Sequence, residues 1–146
     1  FDFETADTES SALLVITFAE GSTAVCDLSS LNAITKPRFY ACGTAGTFIK
    51  YGLDPQEKAM VAGDIDAAEE DPAFYGKLKR ATGEEELVPT LPGRWRNYYE
   101  NIARVLAGQE ELLVKPEEVR RAIEVLVAGR ISAQTGQTVS IERGKK

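Results

Sequence analysis

Between Ser11 and Phe18 the chain is apolar on both alternating sets of positions: Ala12, Leu14, Ile16 and Phe18 on one side, Leu13 and Val15 on the other. Such β-forming residues predict a strand, and apolar residues on both sides predict that both faces are covered. Ala19-Glu20-Gly21-Ser22 reads as a turn. Thr23 to Leu28 reads as a second strand, antiparallel to the first because the connection is short. Ser29 to Pro37 is polar and irregular. Arg38 to Cys42 and Thr47 to Tyr51 pair around Gly43-Thr44-Ala45-Gly46, which makes two successive hairpins and hence an antiparallel meander. Tyr75 to Arg80 and Glu85 to Pro89 flank Thr82-Gly83 as a further hairpin.

Elsewhere the period is helical. Asp54 caps a short helix with Pro55 at its first position, and Gly63 to Pro72 follows as an acidic loop. Trp95, Tyr98, Tyr99, Ile102, Val105 and Leu106 recur at helical spacing up to Gly108. Pro116 opens a second long helix, with Glu117 and Glu118 at its positive end. Its apolar stripe is Val119, Ala122, Ile123, Leu126, Val127 and Ile131, and Gly136 stops it. Gln137 to Glu142 adds a last strand. Residues 1–10, with Asp2, Glu4, Asp7 and Glu9 among small residues, fit a frayed end or an edge strand. Strands grouped first and helices last define an α+β fold: a largely antiparallel, open-faced sheet with helices packed on one face. At 146 residues, 1–146 is expected to be a single domain.

Composition removes whole classes of function. A net charge of −6 supplies no basic face to displace counterions, so nucleic acid is not an expected partner. The longest apolar stretch, Ala12 to Ile16, is strand-sized, so no membrane partner is expected, and no secretory signal is visible. Cys26 and Cys42 are too few for a disulfide scaffold and read as reduced core cysteines of a cytoplasmic protein. The absence of histidine removes the commonest general base and metal ligand. The only methionine is Met60, so a chain beginning at Phe1 is expected to be an excised or processed piece.

Gly43-Thr44-Ala45-Gly46-Thr47 invites comparison with phosphate-binding loops, but a strand rather than a helix follows it. It is expected to be a hairpin turn whose glycines adopt positive φ. Glu69-Glu70-Asp71 and Glu84-Glu85-Glu86 lie beside turns and read as solvated loops. Trp95, Tyr98 and Tyr99 fit core packing better than a sugar-stacking platform. Arg94 and Arg96 oppose the dipole of the helix they open, and either are solvated or meet an anionic or hydroxylated ligand. Ser29 to Lys36 groups hydroxyl, amide and ammonium, which suits either polyol recognition or a plain polar connection.

Several stretches occur in a telling order. Phe18-x-x-Gly21 ends the first strand, then come Arg38-Phe39-Tyr40-Ala41-Cys42-Gly43-Thr44-Ala45-Gly46-Thr47-Phe48 and Tyr51-Gly52-Leu53-Asp54-Pro55-Gln56-Glu57. Asn97-Tyr98-Tyr99-Glu100-Asn101-Ile102, Leu106-Ala107-Gly108, Lys115-Pro116-Glu117-Glu118 and Ser132-Ala133-Gln134-Thr135-Gly136-Gln137-Thr138-Val139 follow. Across 11–62 and 94–141 the chain resembles the C-terminal domain of the glucose–fructose oxidoreductase / inositol dehydrogenase (Gfo/Idh/MocA) family. The resemblance implies a two-domain parent whose N-terminal domain holds NAD or NADP, and a sheet whose open face makes a homodimer or higher homo-oligomer. The family's glycine-rich fingerprint, its Glu-Lys-Pro lysine and its Asp-x-x-x-His histidine are absent, and would lie upstream of Phe1. By the same resemblance, Asn32, Thr35, Lys36 and Arg94 line the cleft for a sugar, inositol or related polyol, while catalytic and cofactor-binding residues lie outside this chain. The competing expectation is a freestanding, non-catalytic dimerising module of the same fold.

Overall fold

The computed structural model describes residues 10–142, which form antiparallel sheets and helices, an α+β architecture. The chain divides into two compact units. One joins the chain up to Leu31 with the chain from Arg104 onward, and the other is Asn32–Ala103.

In the first unit, β1 (Ser11–Thr17) pairs antiparallel with β2 (Thr23–Ser29), Val15 opposite Val25. The turn closes where the Phe18 N–H donates to the Ser22 carbonyl at 2.9 Å, with Gly21 at φ 90°. The long helix, α3 (Pro116–Thr135), starts on its proline and acidic first turn, as expected. It ends at Gly136, whose φ of 69° lets its N–H reach back to the Ser132 carbonyl.

The buried face of α3 differs from the expected stripe. Ala128 is buried, and Val125, Gly129 and Ser132 beside it are half-buried, whereas Val119, Ile123, Leu126, Val127 and Ile131 stay exposed. The reason is closeness of approach. A Cβ at Gly129 would lie 3.0 Å from Leu14 Cδ1, so only the small-residue face of the helix can sit this near β1. β1 is thus covered on the Leu14 side, while Leu13 and Val15 on the other side remain exposed within this chain.

The second unit carries β3 (Phe39–Gly43), β4 (Gly46–Lys50), β5 (Gly76–Arg80) and β6 (Glu85–Val88), a four-stranded antiparallel sheet in chain order. The expected meander is therefore interrupted: β1–β2 and β3–β6 are separate sheets, because the long polar connection between β2 and β3 does not zip as a short hairpin loop does. The 137–142 segment, expected as a strand, joins no ladder among the described residues. The expected acidic loop contains two short 3-10 turns, Ile65–Ala67 and Pro72–Phe74, capped by the Asp64 and Asp71 side chains. Expectations for residues 1–9 lie outside the described residues.

Two glycines behave differently from expectation. Neither Gly43 nor Gly46 adopts positive φ. Gly46 is needed for proximity instead: a Cβ there would stand 2.6 Å from the Lys79 carbonyl oxygen of the neighbouring strand. Gly76 leaves room for the Phe48 ring, which lies where its Cβ would be. Cys26 and Cys42 are free and unbridged but exposed, not in a core.

Candidate functional site

The elements of the second unit that carry the candidate site residues or lie beside them are the 32–38 connection, the helix α1 (Gln56–Val61) and the start of α2 (Arg96–Leu106). Asn32, Thr35 and Lys36 are all exposed on the irregular connection. Arg94 stands just before α2. Its guanidinium donates to Asn97 and, as a two-pronged pair, to Glu100 at 2.7 and 2.8 Å. The hydrogen bonds that Arg94 donates to Glu100 hold its pKa above its ordinary value. Arg96 pairs with Asp66 at 2.9 Å. These partners explain how two arginines occupy the wrong end of the helix dipole: each cation is balanced by a carboxylate. The hydrogen bonds of Arg94 go to its own helix and not to the 32–36 segment.

The backbone before α2 is fixed by a buried clasp. Gln56 is 3% exposed. Its amide nitrogen donates to Asp54 Oδ1 and Oδ2 at 3.1 and 2.9 Å, and its oxygen accepts the Trp95 backbone N–H at 2.8 Å. The Trp95 indole N–H donates to Asp54 Oδ2 at 3.1 Å, and the same carboxylate caps α1 by accepting the Gln56 N–H at 3.0 Å. A Cβ on Gly93 would collide with the Gln56 amide, so the chain passes this point as glycine. An orphan N–H at the start of α2 is thereby satisfied from another element.

A second cluster sits beneath β4. Lys50 donates to Glu70 Oε1 at 2.7 Å, the Phe74 carbonyl at 2.8 Å and Thr90 Oγ1 at 2.9 Å, using all three ammonium protons. Burial alone would push the Glu70 carboxyl up, but hydrogen bonding to Lys50 and Thr90 and the Lys50 charge outweigh it and hold it below the usual carboxylate range. A cavity of about 620 Å³ opens beside both clusters, lined among others by Arg38, Phe39, Lys50, Gln56, Tyr75 and Thr90. Neither Lys50 nor Gln56 was singled out as a site residue from the sequence. The available signal for Lys50 was a lysine inside an otherwise apolar strand.

Trp95, Tyr98 and Tyr99 were expected in the core, but are 42%, 48% and 70% exposed. The burial of α2 falls further along, at Asn101 and, in part, Ile102 and Val105. Gly43-Thr44-Ala45-Gly46 joins two strands and leads into no helix, so it offers no dinucleotide cradle. Among the described residues no group of His, Cys, Asp or Glu could hold a metal ion, and no helix is long and apolar enough to cross a membrane.

Residues 3–141 match the family model described as "Oxidoreductase family, C-terminal alpha/beta domain" of the Gfo/Idh/MocA group. The chain belongs to this family. It is 34% identical over 113 residues to the scyllo-inositol 2-dehydrogenase (NADP(+)) IolW of Bacillus subtilis, covering 73% of the chain and 32% of that protein. To the uncharacterized oxidoreductase YdgJ of Escherichia coli it is 32% identical, covering 76% of the chain and 34% of that protein. The putative oxidoreductase YvaA of Bacillus subtilis superposes with a TM-score of 0.83 at 30% identity, over 95% of this chain and 42% of that one. The chain spans about a third of the length of these curated relatives. Within this Gfo/Idh/MocA C-terminal domain, the clasp of Gln56 and Asp54 on Trp95 fixes the chain where α2 begins, next to Arg94.

Proposed function

We propose that this domain is the substrate-facing and subunit-pairing part of a two-domain NAD(P)-dependent oxidoreductase acting on an inositol, sugar or related polyol. The observation that carries this reading is the family match, joined by the similarity to a relative named as an NADP-dependent scyllo-inositol dehydrogenase. NAD or NADP accepts or donates the hydride when bound, and it belongs to the N-terminal domain; the residues of this chain do not fit it. This chain contributes walls and hydrogen bonds. Asn32, Thr35 and Lys36 present amide, hydroxyl and ammonium groups suited to hydroxyls, and Arg94 adds guanidinium donors. Free Cys26 and Cys42 fit the reducing cytoplasm proposed for it.

In the full-length enzyme, Lys36→Ala and Arg94→Ala should each raise KM for the polyol roughly three- to tenfold, the loss of a hydrogen bond or two, with nucleotide affinity unchanged. Unchanged KM in both variants would remove these residues from the site.

The subunit contact is proposed on the outer face of β1–β2, where Leu13, Val15 and Val25 lie 68%, 58% and 60% exposed and side by side in register. Contiguous exposed apolar strands call for a partner surface. Sedimentation equilibrium of the chain should give a dimer that Val15→Lys turns into a monomer, and a wild-type monomer at every concentration would refute the contact.

A further inference from the structure

We infer that Gln56 is a positioning residue: its hold on the chain just before α2 sets where Arg94 stands against the substrate. This rests on the proposed polyol reading, in which Arg94 meets the ligand. The segment 93–95 is gripped on both sides of Arg94. Ahead of it, the Gly93 backbone passes so close that a Cβ there would fall on the Gln56 amide and 3.0 Å from Asp54 Oδ2. Behind it, the Trp95 backbone N–H donates to Gln56 Oε1 at 2.8 Å and the indole N–H to Asp54 Oδ2 at 3.1 Å. Arg94 lies between, and its guanidinium is tied to α2 through Asn97 and Glu100. Its backbone and its head group are thus fixed by different elements.

The amide serves as donor and acceptor at once. Its nitrogen donates to both Asp54 oxygens, at 3.1 and 2.9 Å, while its oxygen accepts from Trp95. Gln56 is 3% exposed, so no water stands ready to replace a lost partner. A buried and satisfied polar network of this kind holds one geometry. Geometry matters here because a misplacement of about 1 Å, even far from the chemistry, can cost an enzyme up to about a hundredfold. Glutamate in place of Gln56 would make the clasp depend on pH. One carboxylate oxygen would still accept from Trp95, but the other would face Asp54. Two ionised carboxylates repel, and one shared proton restores the hydrogen bond. Burial and the neighbouring charge both raise the pKa at which that proton leaves. The other charged groups lining the adjoining cavity are Arg38, Lys50, Glu69 and Glu70, two of each sign, so Asp54 dominates the repulsion.

In the full-length enzyme, Gln56→Leu should raise KM for scyllo- or myo-inositol about fivefold or more at every pH, with kcat changed less than about twofold. Gln56→Glu should raise KM likewise at about pH 8 and return to within about twofold of the parent at about pH 5, each compared with the parent at the same pH. A residue that only stabilises the fold would lower the amount of active enzyme, and so the apparent kcat, and leave KM alone. Where Gln56→Leu loses its circular dichroism spectrum, the pH response of Gln56→Glu decides. Trp95 is the only tryptophan of the 146-residue chain, so its emission reads the clasp without any substrate. That emission should shift between about pH 5 and about pH 8 in Gln56→Glu and stay constant in the parent. Unchanged KM in both variants, or a fall in kcat alone, would overturn the positioning role. So would a KM of Gln56→Glu raised alike at both pH values, or an emission that ignores pH. The expected emission shift beside a full-length enzyme inactive on every polyol would refute the proposed reaction and leave the clasp standing.

Discussion

Replacing Lys50 by methionine is expected to lower the stability of the chain by about 2 kcal/mol at neutral pH, between the cost of breaking an exposed ion pair and that of breaking a fully buried one. Lys50 and Glu70 are 15% and 12% exposed, so solvent screens the pair little. Glu70 Oε2 is already buried without a hydrogen-bond partner, and without Lys50 the carboxylate would keep only Thr90 as a partner. The change would also alter the response to acid. In the native chain the Glu70 pKa lies below its ordinary value, so its contribution is fully present above the unfolded pKa of about 4.3 and is lost as pH falls through the folded value. In Lys50→Met, burial is left in charge and raises that pKa. The sign then reverses: stability from this group is greatest below about pH 4.3 and declines as pH rises. Urea unfolding at pH 7 and pH 3 measures both effects. The double change Lys50→Met with Glu70→Leu should recover most of the loss, because an apolar pair replaces an ionic one. A single variant within about 0.5 kcal/mol of the parent at pH 7 would mean that the pair is effectively solvated.

What could be read from the sequence was what local chemistry decides. The turns at Gly21 and Gly83, the Asp54 cap, the proline start of α3 and its Gly136 stop each depend on a few neighbouring residues, and each stands where expected. What failed depended on distant contacts. Both faces of α3 carry apolar residues, and the close approach of Leu14 to Gly129 decides which one packs. Gly46 is glycine because of a carbonyl on β5, which no reading of its own turn reveals. The clasp joins Gln56 and Asp54 to Trp95 across 39 and 41 positions, and Lys50 finds Glu70 across 20. The acidic run around Glu70 predicts a solvated loop, whereas the ion pair with Lys50 holds Glu70 half-buried.

The candidate site was legible in the same uneven way. Arg94 stood out because its charge opposes the helix dipole, but Glu100, which balances it, did not. The aromatic residues of α2 were visible as a helical stripe. Such a stripe predicts core, because spacing gives the face a residue occupies and not what lies opposite it. In the fold all three are exposed.

The second large effect expected from the proposed function is a division of labour between this domain and the rest of the full-length protein. Polyol oxidation needs a bound nucleotide for the hydride and a group that takes the hydroxyl proton. This chain has no histidine, and its Gly43–Gly46 turn leads into no helix that would cradle a dinucleotide. A missing hydride acceptor cannot be compensated by well-placed walls, so the expected loss is complete. The most direct measurement is NAD(P)⁺ reduction in the presence of scyllo- or myo-inositol, run in parallel on the full-length enzyme and on the purified 146-residue chain. Polyol-dependent reduction by the full-length enzyme and none by the chain is the predicted result. Turnover by the chain alone, or a full-length enzyme that reduces no nucleotide with any sugar or polyol, would contradict it.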